Sequence, residues 1–166
     1  MKLDDQVAII TGASSGIGRG VAHELDRAGM KLILTGRRGD RLEELAGELK
    51  DAEPVPGDLM EVSFPERLVE AALNRFGKLD VVFNNAGIMD TAPIESADIE
   101  KLCANARVNF EAAVRMAYTA LKHFKTHGNG YLITTSSILG TKVRPTEGVY
   151  AGSKYGVEAL TEALRM

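Results

Sequence analysis

The sequence predicts an α/β protein in which a doubly wound parallel β-sheet carries helices on both faces, giving three layers. Two observations support this fold class. Apolar runs of strand length alternate with helical patterns, which is the order of successive β-α-β units. The runs also lack polar alternation, as expected for strands that are buried on both faces. They occupy residues 6–10, 31–35, 79–83 and 131–135.

One further strand is expected near Val55, within residues 54–57. This prediction is weak, because Pro54 and Pro56 cannot donate to a ladder of backbone hydrogen bonds.

Helices are predicted between the runs from apolar residues that recur every three or four positions. The clearest stripe extends from Phe110 to Phe124 and predicts one long helix. A last helix is expected from about Tyr150 onward. The remaining predicted helices lie within residues 17–25, 41–50 and 68–76. Glycines stand where three of these helices should end, at Gly29, Gly77 and Gly128.

Composition limits the class of protein. A chain of 166 residues suits one domain, and we expect a single domain over 1–166. The formal net charge of −3 gives no general attraction to nucleic acid or to an anionic membrane. Cys103 is the only cysteine, which excludes an internal disulfide and fits a cytoplasmic location. No set of His, Cys and carboxylate residues has metal-ligand spacing, so no metal is expected.

A glycine-rich turn follows the first strand. Gly12 permits a sharp turn, Gly16 removes a side chain where a pyrophosphate would approach the backbone, and Gly18 lets the helix pack closely. The N–H groups of the helix start would then face phosphates. The alternative is a tight strand-to-helix turn that binds nothing. The residues predicted to bind a dinucleotide here are Gly12, Ser14, Ser15, Gly16, Ile17 and Gly18.

The end of the second strand suggests which dinucleotide binds. An acidic residue there would bond the ribose 2′-hydroxyl of NAD, whereas an arginine would accept the 2′-phosphate of NADP. The chain has Gly36 followed by Arg37, and Asp40 is expected to cap the next helix. We therefore predict NADP(H), with NAD(H) as the alternative. A solvated basic turn without a ligand is the other interpretation of Arg37.

Tyr150 and Lys154 lie four residues apart at the start of a predicted helix, and so share one face. A free tyrosine has a pKa of about 10 and is a poor base at neutral pH. A neighbouring ammonium favours the phenolate, which would make Tyr150 an effective general acid and base. This spacing alone is usually coincidental.

In combination, the motifs closely resemble the short-chain dehydrogenase/reductase family. They are Thr11-Gly12-x-x-x-Gly16-x-Gly18, Asn84-Asn85-Ala86-Gly87, Asn109, Ser137 and Tyr150-Ala151-Gly152-Ser153-Lys154. The resemblance implies a Rossmann-like fold and hydride transfer between NADP(H) and a ketone, aldehyde or alcohol.

The resemblance also implies roles for individual residues. Tyr150 would exchange a proton with the substrate oxygen, and Ser137 would orient that oxygen by a hydrogen bond. Lys154 would assist Tyr150 and hold the nicotinamide ribose, and Asn109 would hold a water on a proton path to Lys154. Asn84 would brace the strands. The remaining expected cofactor contacts are Asp58 and Leu59 at the adenine, and Asn85, Ala86 and Gly87 at the adenosine and ribose.

The chain departs from the family's pattern after Met166, where members usually continue with further strands and a substrate loop. We therefore expect a sheet that lacks the last strands of the family fold, with one uncovered edge. The resemblance implies a homodimer or homotetramer. A catalytically silent dinucleotide-binding or interaction module is the competing interpretation.

Overall fold

The computed structural model describes residues 3–165 and contains one parallel five-stranded sheet. Its strands are β1 Val7–Thr11, β2 Lys31–Gly36, β3 Ala52–Pro56, β4 Val81–Asn84 and β5 Tyr131–Thr134. The strand order is β3-β2-β1-β4-β5, and every pairing is parallel. The doubly wound fold predicted from the sequence is therefore confirmed.

Helices cover both faces of the sheet. They are α1 Gly16–Arg27, α2 Gly39–Glu48, α3 Phe64–Phe76, α4 Ile99–Ala106, α5 Ala112–His127 and α6 Gly148–Arg165. Alternate residues of β1 belong to two separate hydrophobic cores, one on each face of the sheet. Ala8 and Ile10 pack beneath α1 and α2. Val7 and Ile9 pack beneath α3 and α5 on the opposite face. None of the described helices is long and apolar enough to cross a membrane.

The weakly predicted strand near Val55 is present as β3. It pairs only with β2 and so forms one edge of the sheet. An edge strand needs partners on one side alone, which is why Pro54 and Pro56 are tolerated in it.

The other edge strand differs from the prediction. Residues 131–135 were expected to be buried on both faces, but in β5 Tyr131 and Ile133 are 54% and 51% exposed. Leu132 between them packs against the core beneath α3 and α5. The exposure arises because no helix within residues 3–165 covers β5 on the α1 and α2 face of the sheet.

The prediction that a long helix begins at Phe110 is wrong, because α5 begins at Ala112. A π-helical turn, Arg107–Glu111, separates α4 from α5, and the stripe prediction missed α4 altogether. Phe110 lies in this turn against Gly156 of α6 and is partly exposed, so it does not belong to the buried stripe. The turn also contains Asn109, which therefore does not sit in a regular helix.

Candidate active site

The candidate site is a crevice of about 750 Å³ above the carboxyl ends of the central strands. After β1 the chain turns to one face of the sheet, and after β4 it turns to the other. Loops that leave in opposite directions open a gap between neighbouring strands, and ligands of doubly wound sheets bind there.

The glycine-rich turn forms the floor of this crevice. Gly12 has φ +68°, and a Cβ atom there would lie 2.9 Å from the Cα of Ala86. A Cβ on Gly18 would lie 2.4 Å from the carbonyl oxygen of Gly12. The turn therefore needs glycine at both positions, the first for backbone conformation and the second for the close approach of α1.

Side chains at the ends of three neighbouring strands join the turn to the rest of the crevice. The Thr11 hydroxyl oxygen accepts hydrogen bonds from the backbone N–H groups of Asn85 at 2.8 Å and Ala86 at 2.9 Å. Asn85 Nδ2 donates to the Thr11 carbonyl at 3.0 Å, and Thr135 Oγ1 donates to Asn85 Oδ1 at 3.0 Å. The ends of β1, β4 and β5 are thereby fixed to one another.

Twelve of the predicted dinucleotide-binding residues line the crevice. They are Gly12, Ser14, Ser15, Ile17, Arg37, Asp58, Leu59, Asn85, Ala86, Gly87, Tyr150 and Lys154. Gly16 and Gly18 are absent from the lining. Gly18 lies behind the turn, packed on Gly12. Asp58 Oδ1 accepts a hydrogen bond from the Met60 N–H at 2.9 Å, which fixes the loop after β3.

Arg38 is a lining residue that the motif analysis did not assign. Its Nη2 donates to the hydroxyl oxygens of Ser14 at 2.8 Å and Ser15 at 2.6 Å, and its Nε donates to Ser14 at 3.2 Å. Among residues 3–165 no carboxylate pairs with Arg38. A positive charge held over two hydroxyls at the end of β2 is a site suited to an anion.

The first two turns of α6 bring Tyr150 and Lys154 to the opposite end of the crevice. Lys154 is only 5% exposed, and its Nζ donates to the Thr135 carbonyl at 2.8 Å. Burial lowers the pKa of the Lys154 ammonium from its ordinary value. A buried lysine with a shifted pKa, lining the same crevice as a tyrosine, is the kind of group that active sites use.

Ser137 and Asn109 do not line the crevice directly. The Ser137 hydroxyl oxygen accepts a hydrogen bond from the Leu139 N–H at 3.2 Å, which leaves its own proton free to be donated. Its neighbour Ser136 lines the crevice, and the Ser136 hydroxyl is buried without a hydrogen-bond partner among the described residues.

Asn109 is buried and bonded to protein on every side. Its Oδ1 accepts from the Ile88 N–H at 2.8 Å, and its Nδ2 donates to the Ile88 carbonyl at 2.8 Å and to Ser153 Oγ at 3.2 Å. Both N–H groups of the Asn109 amide are thereby used within the protein, so a water on a path to Lys154 would have to donate to the Asn109 side-chain oxygen or bind its backbone. Asn84 braces a helix instead of a strand, since its Nδ2 donates to the Ala113 carbonyl at 2.9 Å.

A glycine-rich strand-to-helix turn, with Tyr150 and Lys154 lining the same crevice at the switch point of a doubly wound sheet, is the arrangement typical of one class, the dinucleotide-dependent oxidoreductases. The sequence model described as short chain dehydrogenase matches residues 6–166. The chain therefore belongs to the short-chain dehydrogenase family.

Named relatives agree with this assignment. An uncharacterized oxidoreductase of Listeria monocytogenes is 35% identical over 170 residues, which covers 100% of this chain and 68% of the relative. The apo form of LigO from Sphingobium sp. strain SYK-6 superposes with a TM-score of 0.93 at 31% identity, over 99% of this chain and 63% of LigO. An alcohol dehydrogenase from Thermococcus sibiricus, complexed with 5-hydroxy-NADP, gives a TM-score of 0.89 at 32% identity, over 96% of this chain and 70% of its own. The chain thus spans about two thirds of the length of its relatives.

Proposed function

We propose that these residues form the cofactor-binding and catalytic part of an NADP(H)-dependent oxidoreductase that interconverts a ketone or aldehyde and an alcohol. The observation that carries the proposal is that Tyr150 and the buried Lys154, four residues apart on α6, line the same crevice as the glycine-rich turn. NADP(H), when bound, supplies or accepts the hydride. The protein supplies position, charge and a proton.

Proton exchange is assigned to three side chains. The Tyr150 hydroxyl donates its proton to the carbonyl oxygen in reduction and recovers it in oxidation. Ser137, which adjoins the lining residue Ser136, would donate its hydroxyl proton in a hydrogen bond to the same oxygen and so hold that oxygen in place. The positive charge of Lys154 stabilises the deprotonated phenol. The hydrogen bond of Lys154 to the Thr135 carbonyl fixes the ammonium, and Asn109 fixes the adjoining loop.

The residues of the crevice fit a dinucleotide phosphate. A Cβ position on Gly16 has nothing within 4 Å, so the backbone of the turn is open to close approach there. Arg38, which pairs with no carboxylate among residues 3–165, holds its positive charge over Ser14 and Ser15. Gly36 stands where an acidic residue would select NAD, and a Cβ there would already contact Ser14 Oγ at 3.4 Å. These features favour NADP(H) over NAD(H), with Arg38 as the principal residue for the 2′-phosphate and Arg37 beside it.

Tyr150→Phe tests the catalytic assignment. The chain, with NADPH and a panel of ketones and aldehydes, should lose about 10²–10⁴-fold in turnover, since only the proton donor is removed. NADPH affinity, measured by fluorescence titration, should change less than about twofold. Equal turnover in the variant and the wild type would refute the role of Tyr150. NADPH binding without turnover in the wild type would instead favour the silent binding module.

Two further variants test the cofactor assignment. Arg38→Ala should weaken NADPH binding about 10–100-fold, because a hydrogen bond to a charged group contributes about 1.5–3 kcal/mol. NADH binding should be nearly unchanged. Arg37→Ala is the matched control, and its effect should be smaller, since Arg37 has no hydrogen bond to the serines of the turn. If neither variant discriminates between the two cofactors, the assignment of NADP(H) is wrong.

We also propose that the protein assembles as a homodimer or homotetramer through α5 and α6. Tyr118 and Tyr155 on these helices are exposed, and Phe110 before α5 is partly exposed. Tyr118→Glu should reduce the mass measured by light scattering if this surface is shared between copies. A monomeric wild-type protein would contradict this proposal.

A further inference from the structure

Two buried asparagines hold the chain segment that follows β4. Asn109 bonds both the N–H and the carbonyl of Ile88. Asn105, one turn earlier and 0% exposed, does the same for Asp90, accepting from its N–H at 3.0 Å and donating to its carbonyl at 2.6 Å. The family resemblance drew attention to Asn109 alone, and Asn105 has no role in the mechanism above.

The spacing of these bonds matches that of a strand edge. Asn105 in α4 and Asn109 in the π-helical turn lie four residues apart, about one helical turn, and two residues of an extended chain advance about 6.6 Å. Two side chains four apart on a helix can therefore bond residues two apart on an extended segment. Each bonded residue uses both its N–H and its carbonyl, as paired residues of a β-ladder do. Asn105 and Asn109 thus replace a neighbouring strand along Ile88–Asp90.

This segment forms a wall of the crevice next to the catalytic lysine. A Cβ on Gly87 would lie 3.2 Å from Asn109 Oδ1 and 3.8 Å from Lys154 Nζ. Gly87, Ile88 and Met89 all line the crevice, and the Met89 side chain is 55% exposed there. Asn109 fixes the part of the segment beside Lys154, and Asn105 fixes the part that extends away from it.

We propose that Asn105 is a positioning residue for the substrate. By holding the backbone of Asp90, it fixes Met89 as a rigid apolar wall against the carbon skeleton of the carbonyl substrate. This inference rests on the proposed function. Cofactor binding should be nearly insensitive to Asn105, because the glycine-rich turn and Arg38 lie at the other end of the crevice.

Amide hydrogen exchange measures the positioning directly and requires no turnover. In Asn105→Leu the Asp90 amide should exchange about tenfold faster, whereas that of Ile88, held by Asn109, should stay within about threefold of the wild type. Unchanged exchange at Asp90 in Asn105→Leu would overturn the proposal.

Kinetics measure the effect on the substrate. In Asn105→Leu the KM for a carbonyl substrate should rise about tenfold, with kcat and the Kd for NADPH within about threefold. In a Met89→Ala background the same change should have little further effect on KM, because the wall it positions is already gone. Additive effects, or an unchanged KM, would refute the action through Met89.

Asp26→Ala is the control for a purely structural loss. Asp26 is a buried side chain of α1, and its Oδ1 accepts from the Lys50 N–H at 2.8 Å, remote from the crevice. This variant should lower Tm while leaving KM and the exchange of the Asp90 amide unchanged. A raised KM in Asp26→Ala would mean that loss of stability alone produces the effect expected for Asn105→Leu. If the wild type reduces no carbonyl, the proposed function fails and the substrate role of Asn105 fails with it. The exchange experiment then still decides whether Asn105 holds the segment.

Discussion

Replacing Gly18 by alanine would place a Cβ atom 2.4 Å from the carbonyl oxygen of Gly12 and 2.8 Å from Asn85 Nδ2. Asn85 Nδ2 is held by its hydrogen bond to the Thr11 carbonyl, and the Gly12 carbonyl is part of the backbone of the turn, so neither can retreat without moving the glycine-rich turn. Inserting a methyl group into such a packed contact costs about 1–3 kcal/mol. Gly20 lies two residues further along α1 with nothing within 4 Å of its Cβ position, so Gly20→Ala is a matched control.

Urea and thermal denaturation of the two variants measure this difference. Gly20→Ala should stabilise the protein by about 0.5–1 kcal/mol, because alanine has the better helix propensity. Gly18→Ala should lower Tm by about 2–4 °C for each kcal/mol lost. It should also weaken NADPH binding by about tenfold, equivalent to about 1.4 kcal/mol, as the turn is displaced. If both variants stabilise the protein equally and bind NADPH alike, the close contact that we infer between α1 and the turn does not exist.

Three further predictions concern polar side chains that the fold buries fully or in part. Thr11→Val leaves two backbone N–H groups after β4 without an acceptor. The free energy of unfolding, measured by urea denaturation, should fall by about 2–3 kcal/mol. A fall of less than about 0.5 kcal/mol would contradict the bridging role of Thr11. Burial lowers the pKa of Lys154, so folding opposes its charge at pH 7, and this opposition disappears as the pH rises through its ordinary value of 10.5. Lys154→Met should therefore raise the free energy of unfolding at pH 7, and this gain should shrink by about pH 10. A less stable variant at pH 7 would show that the hydrogen bond to Thr135 outweighs the cost of burying the Lys154 ammonium. Burial, and then the charge of the stacked His127, lower the pKa of His123, so the folded protein should lose stability as the pH falls through 6.5. His123→Leu should reduce the loss measured between pH 7 and 5, and an identical loss in variant and wild type would assign the acid sensitivity to other groups.

Local patterns predicted much of the fold and of the site. Continuous apolar runs identified β1 and β2, which are buried on both faces, because the central strands of a parallel sheet have helices above and below. The spacing of the glycines predicted the strand-to-helix turn, and the combination of motifs in the family resemblance drew attention to Tyr150 and Lys154. Each of these motifs acts within one strand–helix junction or one helical turn, so its geometry follows from neighbours in sequence.

Features that depend on distant parts of the chain were missed. Arg38 reaches from the end of β2 to Ser14 and Ser15, a contact that sequence spacing does not encode. The π-helical turn interrupts a good apolar stripe because Asn109 is held in place by the segment after β4 and by α6. The exposure of β5 depends on which helices cover the sheet, and the apolar sequence of a strand cannot show that.

The bridge made by Thr11 also has a consequence during synthesis. Thr11 bonds residues that lie 74 and 75 positions later in the chain. At about 5–20 residues per second, a ribosome needs about 4–15 s to produce them after Thr11 has been made. A nascent chain that ends within α3 therefore presents the β1 edge that will pair with β4 without its partner, and such edges promote association. A dinucleotide would not protect this early species, because the crevice proposed to bind it is lined also by residues from β4 and later segments.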